Sequence, residues 1–263
     1  MTRVVTALLL VPVAVAVVIW APEAIFVFLT LLVTLFALRE LYDLAEAQGL
    51  APYRWLGLVL TAVVMVLFAL PSTAGIGLLF AVLAACPLAV LIRGLRKPER
   101  MATVAGDAGS TLLGVLYLGL LMGIFARLRL SGVIWILFLF AVVWLGDTAA
   151  LYAGKLWGKH AMAPRVSPNK TWEGATASMV IALAVGWSFG HWFVNASWAC
   201  LIVAAVMNVA AQLGDLAESL IKRGANLKDS GSILPGHGGV LDRIDAMLFA
   251  APALWYYLAF FRP

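Results

Sequence analysis

Apolar residues in this chain come in long unbroken runs. They show neither the alternation of half-buried strands nor the single narrow stripe of soluble helices. Runs close to the roughly 20 residues that cross a hydrocarbon core can be placed about nine times. They lie near 4–20, 22–38, 55–70, 75–92, 109–126, 133–153, 174–193, 198–220 and 242–261. The connectors Leu70–Gly75 and Asn195–Ser197 are short and turn-like. Lipid leaves the backbone of such runs no solution but helices, because strands would need a closed barrel and an alternating pattern that is absent. The expected architecture is all-α: a polytopic integral membrane protein of about nine transmembrane helices. It reads as a single membrane domain over 1–263. Residues 1–100 supply N-terminal helices, and 101–263 carry the helices and cytoplasmic loops with chemical motifs.

Composition agrees. The chain is 64% hydrophobic with a mean hydropathy of +1.02, too apolar for a soluble domain to cover with polar groups. The first run follows Met-Thr-Arg and continues from Val4 to Trp20 without a polar cleavage region. It is therefore expected to stay as a membrane helix rather than leave as a signal peptide. Cys86 and Cys200 both lie inside apolar runs, in no metal-ligand spacing and with no disulfide framework.

The net charge of +5 could suggest a nucleic-acid partner, but topology accounts for it better, and no nucleic acid is expected. With the N-terminus in the cytoplasm, 15 of the 18 basic residues fall on the cytoplasmic side, and Arg127, Arg129 and Arg262 are left outside. All the acids but Glu23 also gather at or near the inner face, although acids do not obey the topology rule. Their crowding has another reason, and it places the active surface on the cytoplasmic side.

Two polar stretches are read as structural. Arg39–Gln48 (RELYDLAEAQ) is a helix end emerging into water. Arg93–Arg100 (RGLRKPER) is a topology anchor with a possible attraction to anionic lipid head groups. GxxxG spacings at Gly119/Gly123, Gly154/Gly158 and Gly186/Gly190 leave a homodimer open.

Two other stretches point to chemistry. In Gly146–Gly174, Asp147 lies within the sixth apolar run, where an acid is costly and marks function or a buried pair. Ser167, Asn169, Lys170 and Thr171 follow in a proline-broken loop, offering donors suited to a phosphate or a nucleotide. The second stretch, Ser219–Asp245, packs four cations (Lys222, Arg223, Lys228, Arg243), three acids (Asp229, Asp242, Asp245), His237 and five glycines into 27 positions. Just upstream, Asp215 and Glu218 share one helical face with Ser219 and Lys222, and Asp242 and Asp245 share another. A glycine-rich reversal can bring the two faces together, and three carboxylates meeting there would bind a hard divalent cation through oxygen. The bland alternative is a set of inter-helix ion pairs, but buried ion pairs are poor stabilisers. His237, between two glycines, suits a phosphate contact or a turn.

These residues carry a resemblance. Ser219, Lys222-Arg223, Lys228-Asp229, Gly231, Leu234-Pro235, His237-Gly238-Gly239, Asp242-Arg243 and Asp245 together resemble the signature of bacterial phosphatidate cytidylyltransferases (CDP-diacylglycerol synthases). Asp147-Thr148, Ser167-Pro168 and Lys170-Thr171-Trp172-Glu173-Gly174 look like the same family. Asn169 departs from it, standing where many members have a basic residue. The motifs cover roughly 145–245; the first hundred residues resemble the family only as apolar helices.

The resemblance implies transfer of the cytidylyl group of CTP to phosphatidic acid, at the cytoplasmic face of a bacterial inner membrane. It implies Mg²⁺ held by Asp215, Asp242 and Asp245, with a second metal ion left open. Lys222, Arg223, Lys228, Asp229, His237 and Arg243 would act in catalysis. Asp147, Ser167, Lys170, Thr171, Ser219, Gly238 and Gly239 would hold substrate. CTP, phosphatidic acid and membrane lipids are the implied partners. A CDP-alcohol phosphotransferase is a weaker reading, since no Asp-Gly pair opens an acidic motif anywhere in the chain. An ion-coupled transporter is weaker too, because no paired internal repeat is visible.

The topology can be tested with single cysteines at positions 228 and 262 in a background lacking Cys86 and Cys200. Position 228 is expected to label from the cytoplasm and position 262 from the opposite side. Labelling of both from one side would refute nine crossings.

Overall fold

The computed structural model describes residues 2–69, 73–96, 98–231 and 238–261, with side chains described from residue 11 in the first helix and from 77 in the fourth. Helices dominate: α1 (Thr2–Trp20), α2 (Glu23–Ala47), α3 (Arg54–Ala69), α4 (Thr73–Gly94), α5 (Val104–Gly114), α6 (Leu121–Leu130), α7 (Val133–Trp157), α8 (Trp172–Phe189), α9 (Ser197–Gly224) and α10 (Leu241–Phe260). A π-helical stretch, Val115–Leu120, joins α5 to α6, and another, Gly190–Val194, closes α8. Among the described residues, six helical segments are long and apolar enough to cross a membrane, and the segments 11–20 and 54–69 are apolar but shorter. The chain is thus a helical, multi-pass membrane protein.

One expected loop is partly regular. Between α7 and α8, β1 (Ala161–Ala163) pairs antiparallel with β2 (Ser167–Thr171), in the register Ala161 to Thr171 and Ala163 to Ser167. The restriction to helices holds only where lipid surrounds the backbone. This hairpin lies outside the apolar runs.

Contacts divide the chain into two compact units. Residues 1–130 with 224–243 form one, and residues 131–223 with 244–263 form the other. Helices α5 and α6, grouped with the chemical motifs in the sequence reading, pack with the N-terminal helices of the first unit.

The first unit is organised around Tyr42. Helix α2 does not end in water at Arg39. It continues to Ala47 and buries Glu40, Leu41, Tyr42, Leu44 and Ala45. Only the opposite face of that turn is wet, where Asp43 and Glu46 hold Arg54 at 2.5 and 2.7 Å. Gly49 then stops the helix, taking a left-handed φ of +84° while its amide bonds Glu46 and that of Leu50 bonds Ala45. The Tyr42 ring fits between α3 and α5 because Gly57 and Gly114 lack side chains. A Cβ on Gly114 would sit 2.7 Å from the ring, and one on Gly57 would overlap the phenol. The hydroxyl donates to the carbonyl of Thr111 at 3.1 Å.

Two cations of this unit are structural. Arg129, expected on the outer side, is buried and donates to the carbonyls of Val18 and Ala21 at the end of α1. Cations suit the negative end of a helix. Arg100, from the basic stretch, meets the buried Asp107 at 2.7 Å.

The GxxxG pairs are accounted for within the chain. Gly119 and Gly123 face Thr61, Met65 and Phe68 of α3. Gly154 and Gly158 face Thr171, and Gly186 and Gly190 face the start of α9 and the turn before it. None requires a second copy for its contacts. In the second unit, Gly146 and Gly174 let α7 and α8 approach closely. A Cβ on Gly174 would be 2.8 Å from the Ala150 carbonyl, and one on Gly146 would be 2.8 Å from Ser178 Oγ.

Gly57→Ala is expected to destabilise the protein by about 1–3 kcal/mol through overpacking against Tyr42. Thermal unfolding in detergent should show the loss, and restoring space with Tyr42→Ala in the same chain should remove most of the penalty specific to Gly57.

Candidate active site

Helix α9 carries the polar face on which the site is built. Asn208, Gln212, Asp215, Ser219 and Lys222 recur at steps of three and four, which stacks them along one side. The upper part of the stripe is neutral. Asn208 donates to Ser178 Oγ at 2.6 Å, and Gln212 donates to Asn208 Oδ1 at 2.6 Å and to the Ala175 carbonyl. Deep in a membrane helix, such amides must find partners, and they find them on α8 and on each other. The lower part is charged.

Carboxyl oxygens of Asp215, Glu218 and Asp245 lie within 4.8 Å of one another. Glu218 is fully buried and Asp245 is 8% exposed. Lys222, one turn beyond Glu218, meets it at 2.5 Å, and Lys170 from β2 forms an ion pair with Asp215. Asp147 on α7 lies within electrostatic reach of Asp215, Lys170 and Asp245. Four carboxylates thus gather around two lysines. Two like charges 4.8 Å apart repel by about 3–4 kcal/mol at an effective dielectric of 20, a repulsion that the paired Lys170 and Lys222 offset. An all-oxygen donor set suits a hard divalent cation.

Asp215 and Asp245 therefore converge as the sequence suggested, but the third member of the trio is Glu218. Its position three residues after Asp215 on the same helical face was the signal for it. Asp242, the other expected carboxylate, makes contacts of its own. Its Oδ2 accepts from the amides of Ser230 at 3.0 Å and of Gly239 at 2.7 Å, in the first unit. A carboxylate one residue into a helix is well placed to take such amides.

The other expected residues divide as follows. Lys170 reaches the trio. Thr171 caps α8, its Oγ1 accepting from Gly174 N at 3.2 Å. Ser167 and Ser219 are half-buried, on β2 and α9. Arg223 is exposed and donates to the Val166 carbonyl of the hairpin at 3.3 Å. His160 and Glu173 close the base of that hairpin, Nδ1 to Oε1 at 2.6 Å. Lys228, Asp229 and Arg243 are exposed. Gly238 has a left-handed φ of +75°, with Asp242 Oδ2 2.5 Å from where its Cβ would stand, and Gly239 is pressed against Ser230 and Glu40. His237 lies outside the described residues.

Sequence reasoning missed Glu40. Buried on α2, it accepts from Ser230 Oγ, Val240 N and Leu241 N at 3.1, 2.9 and 2.8 Å. Nothing local could have revealed it, because its partners are 190 to 201 residues away.

Membrane-spanning helices carrying a carboxylate trio, two of its members buried and one half-exposed, with lysines paired to it define a class: a multi-pass membrane protein with an acidic centre. Comparison with known proteins narrows it, and the chain belongs to the cytidylyltransferase family, whose profile matches residues 1–261. It is 43% identical over 150 residues to a phosphatidate cytidylyltransferase of Staphylococcus saprophyticus, a match covering 56% of this chain and 58% of that relative. Relatives of the same name from Staphylococcus haemolyticus and Staphylococcus aureus (strain COL) are 44% and 43% identical over 151 residues, with the same coverage. These matches thus span less than two thirds of the relatives' length.

The cap assignment of Thr171 can be checked directly. Thr171→Val should lose about 0.5–2 kcal/mol of stability, read as a lower midpoint of thermal unfolding, while Thr171→Ser should stay near the unmodified protein. Equal midpoints for the two variants would contradict it.

Proposed function

We propose that this protein transfers the cytidylyl group of CTP to phosphatidic acid, forming CDP-diacylglycerol and pyrophosphate. The observation that carries the reading is the Asp215–Glu218–Asp245 trio, with Lys170 and Lys222 against it, in a membrane chain of the cytidylyltransferase family. The relatives' printed name supports the lipid acceptor.

In the reaction, a phosphate oxygen of phosphatidic acid forms a bond to the α-phosphorus of CTP. The bond from that phosphorus to the bridging oxygen breaks, and pyrophosphate leaves with the electron pair. The nucleophile is already an anion, so no strong general base is needed. Asp215, Glu218 and Asp245 would hold Mg²⁺, which when bound would neutralise charge developing on the phosphates. Lys222 and Lys170 hold the carboxylates of Glu218 and Asp215 in place, and their ammonium groups are close enough to the trio to meet a phosphate oxygen. Arg223, Lys228 and Arg243, exposed near the ends of α9 and α10, supply charge-assisted donors for the triphosphate and the lipid phosphate. Ser167 would add a hydroxyl contact from the hairpin.

On this reading nine helices cross a bacterial inner membrane, with the N-terminus and the site on the cytoplasmic side, where CTP is available. The 15-to-3 distribution of basic residues supports that orientation.

Purified protein incubated with CTP, phosphatidic acid and Mg²⁺ in detergent micelles should yield CDP-diacylglycerol. Asp215→Asn, Glu218→Gln and Asp245→Asn should each remove most of this activity. Lys228→Ala should lower kcat/KM for CTP roughly 10- to 150-fold, the worth of a charged hydrogen bond. Absence of any CTP-dependent lipid product from the unmodified protein would overturn the proposal.

A further inference from the structure

Glu40 is a carboxylate only 3% exposed in a chain with few acids. Withdrawing such a group from water costs several kcal/mol unless donors replace the lost hydration. Among the described residues, its three donors all come from one place, the segment leading into α10. Ser230 gives its hydroxyl, and Val240 and Leu241 give their amides.

The glycines of this segment make the arrangement possible. A Cβ on Gly231 would stand 2.5 Å from Glu40 Oε1, and one on Gly239 would overlap both Glu40 and Ser230. Two glycines of a motif otherwise suggestive of ligand contact are thus required by the approach of the backbone to a side chain of α2. Asp242 fastens the same stretch from the other side, through the amides of Ser230 and Gly239.

We propose that Glu40 is a positioning residue for the nucleotide site, acting as the post around which residues 228–231 and 238–241 are wrapped. This rests on the function proposed above. The wrapped segment begins with Lys228 and Asp229 and runs directly into Asp242, Arg243 and Asp245. Leu241, whose amide bonds Glu40, lies about one helical turn before Asp245, roughly 6 Å along the α10 axis. Leu241 and Asp245 belong to the same helix, α10. Misplacements near 1 Å suffice to cost about 100-fold in rate.

Glu40→Gln keeps the side-chain length but turns an amide NH₂ toward donors that need acceptors. Glu40→Asp retains the charge and falls short of the backbone. Ser230→Ala removes one donor and leaves the carboxylate untouched, so it reports even if a Glu40 variant fails to fold. Two readouts on the full-length protein separate positioning from mere structure.

The first readout is the steady-state constants for CTP at saturating phosphatidic acid. A structural role would lower kcat in proportion to the folded fraction and leave KM unchanged, whereas positioning raises KM for CTP. The expected rise is roughly 10-fold for Glu40→Gln and smaller for Ser230→Ala. The second readout is hydrogen exchange, which should show lost protection at amides 239–241 in Glu40→Gln. An unchanged KM for CTP in the folded variants, or unchanged protection of these amides, would overturn the inference. If the unmodified protein makes no CDP-diacylglycerol, the proposed function fails, and the exchange readout still decides whether Glu40 holds this segment.

Discussion

Every carboxylate that this chain withdraws from water has to be answered, and the answers organise the structure. Asp107 is answered by the Arg100 guanidinium, the Thr103 hydroxyl and the Ala51 amide. Glu40 is answered by backbone amides and a hydroxyl. These pairings are local necessities in a low-dielectric surrounding, where an unanswered charge costs more than a helix can recover. The exception is the gathering of Asp147, Asp215, Glu218 and Asp245, where two lysines face four carboxylates. There the carboxylates outnumber the cations paired with them, and on the function proposed above this is where a divalent cation would sit.

How much of this was visible in the sequence depends on the range of the interaction. The helices were legible because lipid demands long apolar runs, and such a run is its own signal. The end of α2 was misjudged because Glu40, Asp43 and Glu46 look alike in one dimension. Only three-dimensional packing decides that Asp43 and Glu46 meet Arg54 in water while Glu40 turns inward. The hairpin was hidden because Pro168 and Asn169 have poor strand propensity, and its geometry is enforced by the His160–Glu173 and Trp172–His160 contacts at its base.

Within the site, spacing was a good guide along a helix and a poor one between helices. Asp215, Glu218 and Lys222 share a face at three- and four-residue steps, and they do meet. Asp242 and Asp245 share a face too, yet the first turn of α10 uses them differently. Asp242 takes two backbone amides through Oδ2 at the helix start, while Asp245 joins Asp215 and Glu218. The glycine pairs teach the same lesson: their spacing announces close approach but says nothing of which surface approaches.

The long reach of Glu40 also bears on the order in which the protein is made. Helix α2 leaves the ribosome well ahead of the segment that satisfies its buried carboxylate, which follows nearly 200 residues later. Until then Glu40 has to stay hydrated, so the inner turn of α2 cannot reach its final packing while most of the chain is still being synthesised. Contacts of such sequence separation form late and slowly. Chains interrupted before α10 would hold their apolar helices in the membrane but leave this acid unanswered. The wait has one consequence, because residues 230 and 239–241 take up their places against Glu40 only after the start of α10 has been made.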